Sequence, residues 1–271
     1  MSTNKILSES TTRLSKNRLK NFFDGEPMPE FIIFEHIPST NTYAKEYARN
    51  AGGLDNGIFI ASDSQTSGRG RLGKSFLSDM GRGLYFTYLF KPKLSREKII
   101  HLTTCAATVV CSVLDELIGS ETSIKWVNDI YLGGKKLAGI LTEGEFDSAS
   151  QSFSYAAVGI GINLYDIPFP DELSEIATSV EAQTGIKLDK NLLLARLAIE
   201  LTKKLSSAED FIDEYRKKCF VVGKRVKVIC PSGSYFALAE AVGNDGELAV
   251  RLDTGERKLL FSGEISVKSA E

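Results

Sequence analysis

Apolar residues along this chain gather in short unbroken runs between polar and glycine-rich stretches. Longer segments repeat them every three or four positions. The runs at 31–34, 57–62 and 84–90 predict strands, and 124–126 a shorter one. Residues 130–132 and 136–143, joined by Gly133 and Gly134, predict a hairpin. Residues 153–162, rich in small side chains, predict another strand. Pro38 and Ser39 end the first run and open a helix through Arg49, with Thr40 or Asn41 as cap and Gly52-Gly53 as its stop. The clearest helix is 95–118, where Ile99, Leu102, Ala106, Val110, Val113 and Leu117 recur at helical spacing. Two further helices are expected at 190–205 and 207–218. Residues 63–80 read as one long polar loop.

The pattern changes at Val222-Gly223. Short strands at 225–229, 235–241, 247–252 and 257–261 alternate with turns at 231–233, 243–246 and 254–255. That is the pattern of a small all-β barrel. At the other end, 1–30 is a polar arm with Arg13, Lys16, Arg18 and Lys20 in a basic cluster. A solvated helix or frayed arm is expected there. A remnant DNA-binding element is the alternative, although a winged helix needs a longer segment with its own core. The expected division is therefore an arm at 1–30, a main domain at 31–221 and a C-terminal domain at 222–271.

Composition narrows the class. Of the 271 residues, 42% are hydrophobic and 25% charged, as in ordinary globular proteins. A formal net charge of −2 argues against general coating of nucleic acid. Cys105, Cys111, Cys219 and Cys230 form no C-x-x-C pair, and only His36 and His101 could join them, so a zinc site is not expected. Scattered cysteines fit a reducing cytosol, and Cys105 and Cys111 read as packing residues. The polar N-terminus does not read as a secretory signal, and no apolar stretch is expected to span a bilayer.

Four clusters carry candidate chemistry. Gly68-Arg69-Gly70-Arg71-Leu72-Gly73-Lys74 interleaves glycines with forked cationic donors suited to carboxylate or phosphate. It matches G-x-G-x-x-G, but the strand directly before and helix directly after that a dinucleotide site requires are missing. Lys125-Trp126-Val127-Asn128-Asp129 offers a cation, an aromatic face, an amide and a carboxylate. Asp129 beside a phosphate site would suit Mg²⁺, whereas a surface turn would use Asn-Asp equally well. Lys136 to Leu141 places a lysine before Ala138 and Gly139, leaving room for a ligand against backbone; an edge strand with solvent-facing lysines reads the same way. Gly159 and Gly161, ahead of Asn163, mark either close approach of another group or tight packing. Ser39, Thr40 and Asn41 suit simple capping.

In this order, from about Ile33 to Lys268, these segments resemble biotin–protein ligases. The Gly-Arg run is similar to that family's biotinyl-adenylate loop. Lys125 to Asp129 is similar to its Lys-Trp-Pro-Asn-Asp segment, with Val127 in place of proline. Lys136 to Leu141 is similar to its Lys-Leu-Ala-Gly-Ile-Leu strand, and Gly159 to Asn163 and Gly263-Glu264-Ile265-Ser266 also fit. Lys74-Ser75-Phe76 departs from the family's usual basic residue followed by tryptophan. The short N-terminus resembles single-function members without the winged-helix domain.

The resemblance implies an α+β fold: a mixed, mostly antiparallel sheet flanked by helices, a class II synthetase-like catalytic core, plus a small C-terminal SH3-like β-barrel. It implies a cytoplasmic ligase that joins biotin to ATP as biotinyl-AMP, then transfers biotin to a lysine of biotin carboxyl carrier protein, as in acetyl-CoA carboxylase. Ser39, Thr40, Asn41, Gln65, Arg69, Gly70, Arg71, Lys136 and Gly139 would bind biotin. Gly68, Arg69, Arg71, Trp126, Asn128 and Asn163 would face the adenylate, with Trp126 as one wall. Arg71, Lys136 and Asp129 would carry the chemistry, Asp129 holding Mg²⁺. A homodimer through sheet edges is compatible with this, and DNA binding and membrane association are not expected. The alternatives are a lipoate–protein ligase and a biotin-responsive transcriptional repressor.

Overall fold

The computed structural model describes residues 13–50, 54, 57–95, 98–206, 211–230 and 233–267. A seven-stranded mixed sheet runs in the order β1-β2-β3-β7-β6-β5-β4. Its strands are β1 (Glu30–Ile37), β2 (Ile58–Gln65), β3 (Gly83–Phe90), β4 (Ser123–Lys125), β5 (Asp129–Leu132), β6 (Lys135–Asp147) and β7 (Ser152–Asn163). β1 and β2 are parallel, and every other neighbouring pair is antiparallel. The parallel pair needs a crossover, supplied by helix α2 (Thr40–Asn50).

Both faces of the sheet's centre are covered, which is why its strands read as unbroken apolar runs rather than alternating ones. Phe59, Ala61, Leu84, Phe86, Val158, Ile160 and Ile162 join the main core. Over that core lie α3 (Ile99–Ile118) and α6 (Lys190–Ser206), with α7 (Ile212–Lys218) beside them. Ala44 of α2 packs with Ile58, Ile60, Leu89, Tyr155 and Ala157 in a second, smaller cluster. Helix α3 has the length and apolarity to cross a bilayer, which corrects the expectation that no such stretch exists. Two-thirds of its apolar window is buried, and its side chains from Ile100 to Ile118 build the core. The short helices α4 (Asp171–Ser174) and α5 (Val180–Thr184) were not legible in the pattern.

The α+β expectation is met, and a second, five-stranded antiparallel sheet follows at the C-terminus in the order β11-β10-β9-β8-β12. It comprises β8 (Arg225–Cys230), β9 (Gly233–Val242), β10 (Leu248–Leu252), β11 (Arg257–Leu260) and β12 (Glu264–Val267). Sequence reading missed β12. The expected stop at Gly52-Gly53, the start of the last helix at 207–210, and Pro231-Ser232 lie outside the described residues.

A solvated N-terminal helix is not what forms over 14–23. Helix α1 (Lys16–Lys20) lies next to α6, and Leu14, Leu19 and Phe23 are buried in the main core. The sparse apolar residues of the arm are the ones turned inward. Arg18 pairs with Asp189, and the Leu14 amide donates to Asp63. Asp63 is itself buried and joined to Lys190 at 3.0 Å, both side chains almost fully enclosed. The supposed polar loop at 63–80 therefore begins as strand, with Asp63 and Ser64 buried inside it.

Candidate active site

Period-two alternation decides what the sheet offers on the α2 side. On β7, Val158, Ile160 and Ile162 go to the core, so Gly159 and Gly161 fall on the opposite face. On β6 the same rule sends Ala138 and Ile140 inward and turns Gly139, Leu141 and Glu143 toward the cleft. Three glycines on adjoining strands leave a floor without side chains. What occupies that space is specific: a Cβ at Gly161 would come within 2.6 Å of the Phe76 ring, and one at Gly159 within 2.7 Å of Asn41 Cγ.

One end of the cleft is an array of amides and hydroxyls. Ser39 accepts the Thr42 amide at the start of α2. Thr40 donates to Gln65 Oε1 from its amide, at 2.8 Å, and from its hydroxyl, at 3.2 Å. Gln65 in turn donates to Ser78 at 3.0 Å. The Asn41 amide group donates to the Leu141 carbonyl and to Glu143, both at 3.1 Å, and its oxygen accepts from Thr87 at 2.6 Å. Every polar atom of that carboxamide is thus engaged, which fixes its orientation. The parallel register places Ile37 opposite Gln65, so the end of β1 and the end of β2 bring Ser39, Thr40 and Asn41 beside Gln65.

The opposite end is charged. Lys136 meets Asp129 at 2.6 Å, and Lys125 approaches the other carboxylate oxygen at 3.8 Å. Asn128 accepts from Arg71 at 3.0 Å and donates to the Ile140 carbonyl at 3.0 Å. Burial lowers the Arg71 guanidinium from its ordinary value, opposed by the charges of Asp129 and Glu264. At the rim, Glu143 binds Lys45 at 2.6 Å and lies 3.5 Å from Arg69. Burial pushes the Glu143 carboxyl up, but the bonds from Lys45 and Asn41 and the charges of Lys45 and Arg69 outweigh it and hold it below its usual range.

The Gly-Arg run closes the cleft as a miniature hairpin. Phe76 N–H donates to the Gly68 carbonyl at 2.9 Å and Gly70 N–H to the Lys74 carbonyl at 2.7 Å. Its tip turns through Leu72 at φ 53° and Gly73 at φ 76°, the left-handed region that glycine tolerates best. A 3-10 turn, not an α-helix, follows Gly70, so the helix that a dinucleotide site requires does not form, although β2 runs to Gln65 and a strand does lead into the glycines, contrary to the expectation. Lys74 anchors the flap to Glu264 of β12, bringing the second sheet to the cleft.

Ser39, Thr40, Asn41, Gln65, Arg69, Gly70, Arg71, Asn128, Asp129, Lys136 and Gly139 all line this one cleft. Gly68 lies behind it, pressed against Phe76 and Ser78. Trp126 is not a wall: it is 2% exposed, and its indole N–H donates to the Gly246 carbonyl. Asn163 is likewise buried and donates to the Thr178 carbonyl. Trp126, just past β4, keeps the parity of the buried Ile124, whereas Asn163 has the parity of Gly159 and Gly161 but stands at the end of β7, where the Thr178 carbonyl holds its amide. The Trp126–Val127 peptide bond is cis. As a metal ligand Asp129 fits poorly, because two ammonium groups already take up its carboxylate. Among the described residues no group of three His, Cys, Asp or Glu side chains could hold a metal ion. Burial pushes the thiols of Cys105 and Cys111 up to about 12, so both are packing residues. Sequence reading missed Thr87, Glu143 and Lys45. The signal for Thr87 was a single threonine inside the aromatic and aliphatic run of β3.

The cleft thus combines an amide-rich end suited to a polar ring with a cationic end and flap suited to an anion. Residues 33–163 match the Biotin/lipoate A/B protein ligase family. The chain is 30% identical to the bifunctional ligase/repressor BirA of Escherichia coli (strain K12), over 98% of this chain and 81% of that protein. It is 28% identical to the biotin–[acetyl-CoA-carboxylase] ligase of Mycobacterium tuberculosis, over 88% of each. Among solved structures, the biotin protein ligase from Aquifex aeolicus in complex with biotin and ATP aligns with a TM-score of 0.74 at 27% identity, covering 90% of this chain and 100% of that one. This chain belongs to the biotin protein ligase family.

Proposed function

We propose that the chain biotinylates a specific lysine of a biotin carboxyl carrier protein, with ATP as the energy source and biotinyl-5′-adenylate as the intermediate. The observation that carries this reading is the convergence, in one cleft, of the Thr40–Asn41–Gln65 hydrogen-bond array with Arg71, Lys136 and Asn128. A ureido ring offers two N–H donors and one carbonyl acceptor, which suits the hydroxyl and amide end. The vitamin's carboxylate then extends toward Lys136 and the flap arginines.

In the first step a biotin carboxylate oxygen attacks the α-phosphorus of ATP and the bond to pyrophosphate breaks. In the second, the acceptor lysine amine attacks the acyl carbon, AMP leaves with the bonding pair, and the amine loses a proton. Neither step needs a protein nucleophile; positioning and charge stabilisation suffice. Lys136 and Arg71 supply the positive charge for the phosphoryl and carboxylate oxygens. Asp129 holds the Lys136 ammonium in place through their 2.6 Å contact. Magnesium enters as part of the MgATP substrate. The arm at 1–30, catalytic domain at 31–221 and C-terminal domain at 222–271 remain the proposed division, in a cytoplasmic enzyme for which a homodimer would use the β1 edge, since β4 is bridged by Cys219 and Phe220.

The test is transfer of labelled biotin to purified carrier domain with ATP and Mg²⁺, with labelled lipoate offered in parallel. Label from biotin alone is expected. Label from lipoate alone would move the chain to the lipoate branch, and no label from either would overturn the proposal.

A further inference from the structure

The turn joining β9 to β10, residues 243–247, is gripped by three elements of the main body. Trp126 donates its indole N–H to the Gly246 carbonyl at 2.9 Å. Arg216 of α7 donates to the Val242 carbonyl at 2.9 Å and to the Asn244 side chain. Lys98, which caps α3, and His101 within it face Asp245 at 4.0 and 3.3 Å. Gly246 has φ +85°, and a Cβ there would come within 3.1 Å of the Thr104 methyl. The turn therefore fits its seat closely, and the residue under the indole has a left-handed backbone and a tight neighbour that both favour glycine.

The other end of the contact leads into the cleft. Trp126, Val127 and Asn128 each bond to a different element. Trp126 reaches the second sheet, the Val127 carbonyl accepts from Tyr215 of α7 at 3.1 Å, and the Asn128 carbonyl accepts from Ile140 of β6 at 3.0 Å. Asn128 then meets Arg71, and the next residue, Asp129, meets Lys136. A buried donor left without its partner is costly, so the segment settles where the Gly246 carbonyl lies.

We infer that the 243–247 turn is a positioning element for the nucleotide half of the cleft, acting through Trp126 on Asn128 and Asp129. The inference rests on the ligase reading above and extends it to a part of the chain that does not itself touch the cleft. The amide-rich half hangs on β1, α2 and β2 and is tied to β3 through Thr87; β6 is the strand the two halves share, through Leu141 on one side and Ile140 on the other. Disturbing the turn should therefore weaken the use of ATP more than that of biotin, whose ring is held by the separate amide-rich end and only its carboxylate by Lys136.

Two variants test this in biotin-dependent pyrophosphate exchange. Trp126→Phe removes the indole donor while keeping an aromatic ring. Arg216→Met leaves Trp126 in place and loosens the turn. KM for ATP should rise about five- to tenfold in Trp126→Phe, the loss expected from one buried hydrogen bond, with a markedly smaller rise in KM for biotin. Arg216→Met should show the same split at smaller amplitude. The chain has a single tryptophan, so its emission should shift to the red in Arg216→Met as the seat loosens. A general loss of folding would lower the rate without separating the two KM values. Both KM values rising by the same factor, or neither changing, overturns the inference while leaving the ligase reading intact. If Trp126→Phe yields no folded enzyme, Arg216→Met decides alone by the same criterion. Absence of exchange in the wild type would overturn the ligase reading, and this inference with it.

Discussion

Gly159→Ala is the most incisive substitution in the cleft floor. The added methyl would overlap the Asn41 carboxamide, within 2.7 Å of Cγ and 3.0 Å of Nδ2. Asn41 is a short side chain and cannot swing aside without breaking its bonds to Thr87, the Leu141 carbonyl and Glu143. A neutral hydrogen bond contributes about 1 kcal/mol net and one to a charged group about 1.5–3 kcal/mol. Losing all three therefore costs about 3–5 kcal/mol. Reduced freedom of the unfolded chain returns about 0.4–1 kcal/mol, leaving a net destabilisation of about 2–4 kcal/mol. Denaturant unfolding measures this, and a double-mutant cycle assigns it. In an Asn41→Ala background the clash partner is gone, so adding Gly159→Ala should cost almost nothing. A Gly159→Ala protein as stable as wild type, or a cost equally large in both backgrounds, would refute the packing argument.

Other consequences are as direct. Lys136→Ala should slow biotin-dependent pyrophosphate exchange by about a hundredfold or more, the usual loss for one charge-stabilising donor; an unchanged rate would remove Lys136 from the chemistry. Arg71→Gly should speed escape of biotinyl-adenylate and raise indiscriminate lysine labelling, which release after rapid dilution would measure; equal release would end the clamp role. Lys190→Met should destabilise by about 3–5 kcal/mol by leaving Asp63 buried without its cation, and Lys190→Met with Asp63→Leu should recover most of that in denaturant titration. Glu143 has a folded-state pKa below its ordinary value of 4.5. Its contribution is therefore present above that value and lost as pH falls through the folded one. Glu143→Gln should flatten the acid limb of stability against pH, and an unaltered limb would contradict the assignment.

Strands and long helices were legible because burial on both sheet faces leaves unbroken apolar runs and α3 keeps its period for twenty residues. The cleft was legible where glycine, arginine and lysine sit at positions that strand alternation turns to one face. Trp126 was misplaced because an aromatic beside polar residues reads alike whether it lines a pocket or fills a core; only the pairing of β4 with β5 decides which way it points. Thr87 and Glu143 act through partners far away in sequence, Asn41 among them, and no local pattern marks such pairings. The burial of Leu14 and Leu19 escaped notice because two leucines in a charged segment make too weak a period.

The order of strands has a consequence for how the enzyme comes into being. β1, β2 and β3 form one local group and β4 to β7 another, and among the described strands the β3–β7 pairing is the backbone seam between them, across a long stretch of chain that includes α3. Closing so distant a contact is the entropically demanding event in assembly. Asn41 and Thr87 belong to the first group, Leu141, Gly159 and Lys136 to the second. The cleft thus has no existence in either half alone, and a ligand held across the seam would act as a staple for the whole sheet.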